Sequence, residues 1–126
     1  MHITEEYRMY IVVREDLQMP AGKAMGQTAH AAEGTLVASI KKDPLTAECY
    51  MNSFGRKKIV LGIKSLDKLM KLQECCNSLD VPNHLVTDSA RTVFTEPTVT
   101  CLGIGPVSPE QQDQLKTAFK RLQLYK

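Results

Sequence analysis

The apolar positions of this chain fall into runs with two different periods. Between Arg8 and Arg14 lies Met9-Tyr10-Ile11-Val12-Val13, which has no polar alternation and is rich in β-branched residues. Such a run predicts a strand covered on both faces. Lys58-Ile59-Val60-Leu61-Gly62-Ile63, His84-Leu85-Val86-Thr87 and Val99-Thr100-Cys101-Leu102-Gly103-Ile104 predict three more strands. Between them the period is helical. A long helix is expected from about Ala21 to Lys41 or Lys42, after a loop from Glu15 to Pro20. Asp43-Pro44 is a cap and first-turn pair, so a short helix should run to about Asn52 and end at Phe54-Gly55. Ser65 can cap a third helix with an apolar stripe of Leu66, Leu69, Met70, Leu72, Cys76 and Leu79. Pro82-Asn83 breaks the chain before the third strand, and Gly105-Pro106 should stop the fourth. Ser108-Pro109-Glu110-Gln111 matches a capping box, opening a last helix to about Leu122 with Leu115, Ala118, Phe119 and Leu122 inward.

The expected order is β-α-α-β-α-β-β-α. Short apolar strands alternating with helices predict an α/β protein, a three-layer α/β/α arrangement with a four-stranded mixed sheet between helices. The 126 residues fit one domain, 1–126. In such sheets, sites form at the carboxyl ends of strands. Two groups leave strand ends here: the helix carrying Lys23 follows the first strand, and Asp88 follows the third.

The start of the long helix is unusual. In Ala21-Gly22-Lys23-Ala24-Met25-Gly26-Gln27-Thr28-Ala29-His30-Ala31-Ala32 nearly every residue is small. Lys23, Gln27 and His30, at i, i+4 and i+7, share one helical face with Gly34. Met25, Ala29, Ala32 and Leu36 fall roughly opposite, where a core face is expected. Lys23 sits in the first turn, where the helix dipole disfavours a cation by about 0.3–1 kcal/mol. Beside Gly22 and free backbone N–H groups it forms an anion site, or else it is a solvated lysine on an ordinary helix. His30 reads as a packed, hydrogen-bonded core histidine. Gly26 and Gly34 suggest close approach of another backbone or a ligand.

Composition narrows the class. The hydrophobic fraction of 43% supplies a core, and the charged fraction of 24% is ordinary for a soluble protein. No apolar run approaches the roughly 18 residues of a membrane span, so no membrane partner is expected. The first residues, Met1-His2-Ile3-Thr4-Glu5-Glu6, lack the basic-then-apolar order of a secretory signal. Cys49, Cys75, Cys76 and Cys101 form no C-x-x-C pair and, with His2, His30 and His84, give no metal-ligand spacing. A reduced cytoplasmic protein with no metal is expected, with Cys101 as a core thiol. The net charge of +2 says little, but Arg56-Lys57-Lys58 is a basic run, and Lys64, Lys68, Lys71, Lys116, Lys120, Arg121 and Lys126 follow. These are solvated faces or phosphate-attracting patches.

Familiar motifs fail. Gly22 to Thr28 lacks the spacing of a P-loop. In Gly103-Ile104-Gly105-Pro106 the third glycine of a dinucleotide fingerprint is replaced by Ser108, and no nucleophile elbow occurs.

Two separated blocks do carry a resemblance. Gly22-Lys23-Ala24-Met25-Gly26-Gln27-Thr28-Ala29-His30-Ala31-Ala32 resembles the G-K-x-x-x-Q-x-x-H-A-A signature of the peptidyl-tRNA hydrolases of the archaeal and eukaryotic type (type 2). Asp88, Arg91-Thr92, Pro97-Thr98, Thr100 and Leu102-Gly103-Ile104-Gly105-Pro106 are similar to that family's second block, and Tyr10 to Leu17 is similar to its first strand. The resemblance spans roughly Tyr10 to Leu122. It implies cofactor-free hydrolysis of the ester between a peptide and the 3′-terminal ribose of tRNA, a sheet between helices, and a homodimer. Two positions depart from it: Ser89-Ala90 replaces the common Ala-Gly after the aspartate, and Val93 replaces a polar residue.

Carried onto this chain, the resemblance implies roles. Asp88 orients or activates the water, and Lys23 binds phosphate or stabilises developing negative charge. Thr98 and Thr92 give hydroxyl hydrogen bonds to the ester or ribose. Gln27 positions substrate, Arg91 contacts the backbone, and His30 joins the binding set. Peptidyl-tRNA is then the partner, through its acceptor stem and 3′ end. Arg56, Lys57, Lys58 and the basic helix faces would track the stem without reading sequence. The alternatives are a catalytically weakened member that binds tRNA or a protein, and an esterase acting on another aminoacyl-tRNA bond.

Overall fold

The computed structural model describes residues 6–90 and 94–126. The strands are β1 (Arg8–Arg14), β2 (Lys58–Ile63), β3 (Asn83–Asp88), β4 (Thr98–Val107) and β5 (Gln123–Leu124). The helices are α1 (Ala21–Lys42), α2 (Pro44–Met51), α3 (Leu66–Ser78) and α4 (Pro109–Phe119). The sheet is mixed, as expected, but has five strands, not four, in the order β3-β4-β1-β2-β5. The added strand is the two-residue β5, paired through Leu61↔Leu124 and Gly62↔Gln123. Two residues are too few for any period to register, and α4 correspondingly ends at Phe119 rather than near Leu122.

β1 is buried on both faces, as its unbroken apolar run requires. Tyr10 and Val12 join Leu69, Leu72, Cys76 and Leu115 in the layer under α3 and α4. Met9, Ile11 and Val13 join Ala24, Ala31 and Tyr50 under α1 and α2. The stripe of α3 is narrower than expected: Leu69, Leu72 and Cys76 are buried, while Leu66 is exposed. Burial pushes the Cys76 thiol up to about 12 and the core Cys101 thiol up to about 11.

The face of α1 that docks on the sheet is the small and polar one: Ala24, Gln27, Ala31, Thr35 and Ser39. Met25 and Ala29, expected inward, are exposed, and Ala32 and Leu36 are only partly buried. The reason is proximity. A methyl group on Gly103 of β4 would overlap the Ala31 carbonyl oxygen. Backbones this close exclude large side chains, so the helix offers its small stripe. Hydrogen bonds secure it. Thr35 Oγ1 donates to the Gly105 carbonyl (2.6 Å), and Thr100 Oγ1 donates to Gln27 Oε1 (2.6 Å). Cys101 Sγ lies 3.3 Å from the Gln27 carbonyl.

β4 also runs further than expected, through Gly105-Pro106 to Val107. A register shift against β1, from Arg8↔Val107 to Tyr10↔Ile104, lets the strand pass the proline. A second shift lies nearer the start. Val86 pairs with Cys101 but Thr87 pairs with Val99, so Thr100 is an extra residue, a β-bulge. Thr100 and Cys101 both reach α1 in consequence, Val99 packs toward the α3–α4 layer, and Thr98 returns to the α1 side in register with Asp88.

Two glycines separate close contact from mere helix propensity. Gly103→Ala must displace the Ala31 backbone and should destabilise by about 2 kcal/mol or more. Apart from its chain neighbours and the adjoining turns of α1's own backbone, no described atom lies within 4 Å of a methyl placed at Gly26, so Gly26→Ala should stabilise by up to about 1 kcal/mol. Urea unfolding of both variants checks the pair; equal midpoints would mean that α1 and β4 are not in backbone contact.

Candidate functional site

β1 is parallel to β2 and antiparallel to β4, and β4 is antiparallel to β3. The carboxyl ends of β1, β2 and β3 therefore lie along one edge of the sheet, together with the start of β4. Lys23, in the first turn of α1, and Asp88, the last residue of β3, meet at this edge. Lys23 Nζ donates to Asp88 Oδ1 at 2.5 Å. The two side chains are 15% and 9% exposed, so the pair is largely withdrawn from water yet open on one side. The Lys23 hydrogen bond, then the Ala90 N–H (3.0 Å to Oδ2), hold the Asp88 carboxyl below its ordinary range; the charges of Lys23 and His30 act in the same direction, against the effect of burial. The unfavourable first-turn position of Lys23 is thereby offset by a carboxylate rather than by solvent.

The neighbours are set by the strands. Thr98 lies directly across from Asp88, with its hydroxyl donating to the Glu96 carbonyl (2.8 Å). The Phe94 ring lies 5.8 Å from Lys23 Nζ, an orientation that favours the cation. Gln27 is buried, and its side-chain oxygen accepts the Thr100 hydroxyl. It therefore sits beneath Lys23 as a tie between α1 and β4. His30 is exposed, not a core histidine, and lines an open cleft between α1 and β3 with Gly34, His84 and Thr87. A core position is denied it because the backbone contact at Ala31 leaves no room for an imidazole on the docked face. The close neighbour of Gly34 is the His84 ring, neither backbone nor ligand. Arg91, Thr92 and Val93 lie outside the described residues. Among the described residues, no three His, Cys, Asp or Glu side chains are grouped to hold a metal ion.

Three contributors carry no role in the sequence reading. Thr100 occurs in the second block, but only the bulge turns it toward Gln27. Phe94 is an isolated aromatic in a polar loop. Arg14 follows the apolar run of β1; it grips Asp16 through two nitrogens (2.7 and 3.2 Å) and donates to the Val99 carbonyl (2.9 Å). Arginine at the end of a doubly buried strand was the available signal, since such a cation needs a partner.

The departure at Ser89-Ala90 leaves the turn in place. Ala90 has φ of 70°, the left-handed region that glycine occupies freely, and its N–H still reaches Asp88. Ala90→Gly should remove about 1 kcal/mol of backbone strain, partly offset by greater freedom of the unfolded chain. A thermal melt should show an equal or higher Tm; a lower one would mean that the alanine side chain itself supports the turn.

The sequence matches the family described as peptidyl-tRNA hydrolase PTH2 over residues 7–125. Relatives named peptidyl-tRNA hydrolase include one from Methanopyrus kandleri, 38% identical over 109 residues that cover 86% of this chain and 92% of the relative. The Thermoplasma acidophilum relative is 33% identical over 115 residues, 91% of this chain and 97% of its own. The Saccharolobus solfataricus relative is 32% identical over 118 residues, 91% and 98%. A solved structure of a protein of unknown function from Agrobacterium tumefaciens superposes with a TM-score of 0.59 at 8% identity, over 98% of this chain and all of that one, which is a likeness of fold alone. With Lys23 and Asp88 joined at one sheet edge and the match running almost end to end, the chain belongs to the peptidyl-tRNA hydrolase PTH2 family.

Proposed function

We propose that this chain hydrolyses the ester joining a peptide, or an N-blocked amino acid, to the 3′-terminal ribose of tRNA, and that the chemistry takes place at Lys23 and Asp88. The observation that carries this reading is the ion pair between them, formed by the two blocks that resemble the family's signatures and lying where β3 ends and α1 begins. Water attacks the ester carbonyl carbon, the bond to the ribose 3′ oxygen breaks, and a proton from the water ends on that oxygen. Asp88 orients the attacking water as a hydrogen-bond acceptor. A carboxylate held low is a weak base, so proton uptake follows the build-up of the tetrahedral intermediate rather than preceding attack. The Lys23 ammonium stabilises the oxyanion in a site shielded from bulk water. Thr98, across from Asp88, hydrogen-bonds the ester or ribose; Thr92 and Arg91 take the roles that the resemblance implies, a hydroxyl hydrogen bond to substrate and a contact to its backbone. Gln27 acts through Thr100, fixing the height of α1. His30 meets substrate from the open cleft.

The partner in this reading is peptidyl-tRNA, engaged through its 3′ end and acceptor stem in the cytoplasm, where translation releases it. The domain 1–126 works as a homodimer; exposed Val37, Ile40 and Leu45 offer apolar surface to a second copy. Among the described residues no helix is long and apolar enough to cross a membrane.

Cleavage of N-acetyl-aminoacyl-tRNA by the purified protein, with chelator present, should be rapid. Lys23→Ala should lower kcat/KM by at least about tenfold, or about 1.4 kcal/mol of transition-state stabilisation. Asp88→Asn, which keeps an oxygen for Lys23 but not the charge, should do the same, with Tm lowered only by the lost attraction of the pair. Unchanged turnover in either variant would remove that residue from the chemistry.

The Lys23–Asp88 pair also has a pH signature. Because the folded carboxyl lies below its ordinary 3.8, the stabilisation from the pair is complete above that value and is lost as pH falls through the folded value. Isotope-detected titration of the Asp88 carboxyl should give a midpoint below 3.8, moving up in Lys23→Met. A midpoint that does not move would show that Lys23 is not the dominant partner.

A further inference from the structure

Two basic surfaces compete for the phosphate backbone of tRNA, and the fold separates them. Arg56-Lys57-Lys58 leads into β2, with Lys58 its first residue, so it lies at the sheet edge opposite Lys23 and Asp88. Its groups are also engaged locally. Arg56 Nε donates to the Met51 carbonyl (2.9 Å), Lys57 is 3.5 Å from the Glu6 carboxylate, and Lys58 lies over the Tyr50 ring at 5.5 Å. This run closes the α2–β2 connection.

The second surface is a trough of about 780 Å³ between α3 and the end of α4. Lys64, Lys68 and Lys71 line one bank, and Lys120 and Arg121 the other, all exposed, over a floor that includes Ile63 and Leu72. Glu15 is the acid in the lining, half-buried with its carboxyl packed against Gly62. Lys71 meets Asp67 at 3.3 Å, but both are about three-quarters exposed, so water screens that pair. The position matters as much as the charge. Lys64 directly follows β2 and Glu15 directly follows β1, so the trough opens at the edge that carries Lys23 and Asp88. From β3 to β2 is three strand spacings, roughly 14 Å, or about four steps of a duplex at ~3.4 Å each.

The geometry points to this trough as the seat of the tRNA acceptor stem, its two cationic banks flanking one sugar–phosphate strand while the 3′ end reaches around the edge to the ester site. The inference rests on the hydrolase reading and adds where the substrate's body lies. Contacts of this kind neutralise phosphates without reading bases. It also makes Arg56, Lys57 and Lys58 bystanders.

The test compares Lys68→Glu/Lys120→Glu with Lys57→Glu/Lys58→Glu on two substrates: N-acetyl-aminoacyl-tRNA, and the same ester on a CCA trinucleotide that has no stem. The trough variant should raise KM for the tRNA by about tenfold or more at nearly constant kcat, with its loss confined to that substrate. Its tRNA Kd should weaken likewise, and the slope of log affinity against log salt should become shallower by about one to two. The Arg56-side variant should match the parent throughout. Equal losses on both substrates, an unchanged tRNA Kd, or the same effect from the Lys57/Lys58 pair would overturn the assignment. If the parent protein cleaves neither substrate, the hydrolase reading fails by itself, and the tRNA Kd and salt slope still decide the trough.

Discussion

Everything at the site depends on how closely α1 lies on β4. Gly103 removes the side chain that would hold the Ala31 carbonyl away, and the Thr35–Gly105 and Gln27–Thr100 hydrogen bonds fix the helix at that distance. These bonds are buried, so breaking one leaves an unsatisfied polar group at about 1–3 kcal/mol. A helix held at several points along its length cannot rock or slide freely. The lysine in its first turn is thus delivered to the end of β3 with little freedom left to lose, as the electrostatic role proposed for it requires.

The pair so formed serves two purposes. The lysine keeps the carboxylate ionised, and the carboxylate keeps a cation at a helix end that would otherwise repel it. Each group favours the charge of the other, with the Ala90 N–H adding to the hold on the carboxylate. Partial burial strengthens the attraction, and the remaining exposure leaves a face where a substrate can enter. The Phe94 ring and the Arg14–Val99 contact brace the same edge from the loop and strand sides.

Much of this was legible in the chain. The doubly buried β1, the limits of α1 and the cap at Ser108 follow from period and capping chemistry, while the meeting of Lys23 with Asp88 was legible only through strand order and the family resemblance. What was not legible has a common cause. Hydrophobicity points to the Met25 stripe as the inward face of α1, yet the sheet selects for size, so Met25 lies outside, and His30, on the opposite stripe, is exposed as well. Size selection depends on a glycine about seventy residues away, which no local pattern contains. The bulge at Thr100 and the two-residue β5 are likewise products of pairing, not of local sequence.

The bulge has a consequence for how the strand can change. In a regular strand, side-chain parity is continuous, so inserting or deleting one residue inverts every position beyond it. In β4 the extra residue uncouples the two halves: Leu102 and Ile104 keep their parity with the core, while Thr98 keeps its own with Asp88. The core half answers to packing and the other half to its pairing with Asp88. Thr100 is the joint between them, and its hydroxyl reports to α1 that the joint is closed.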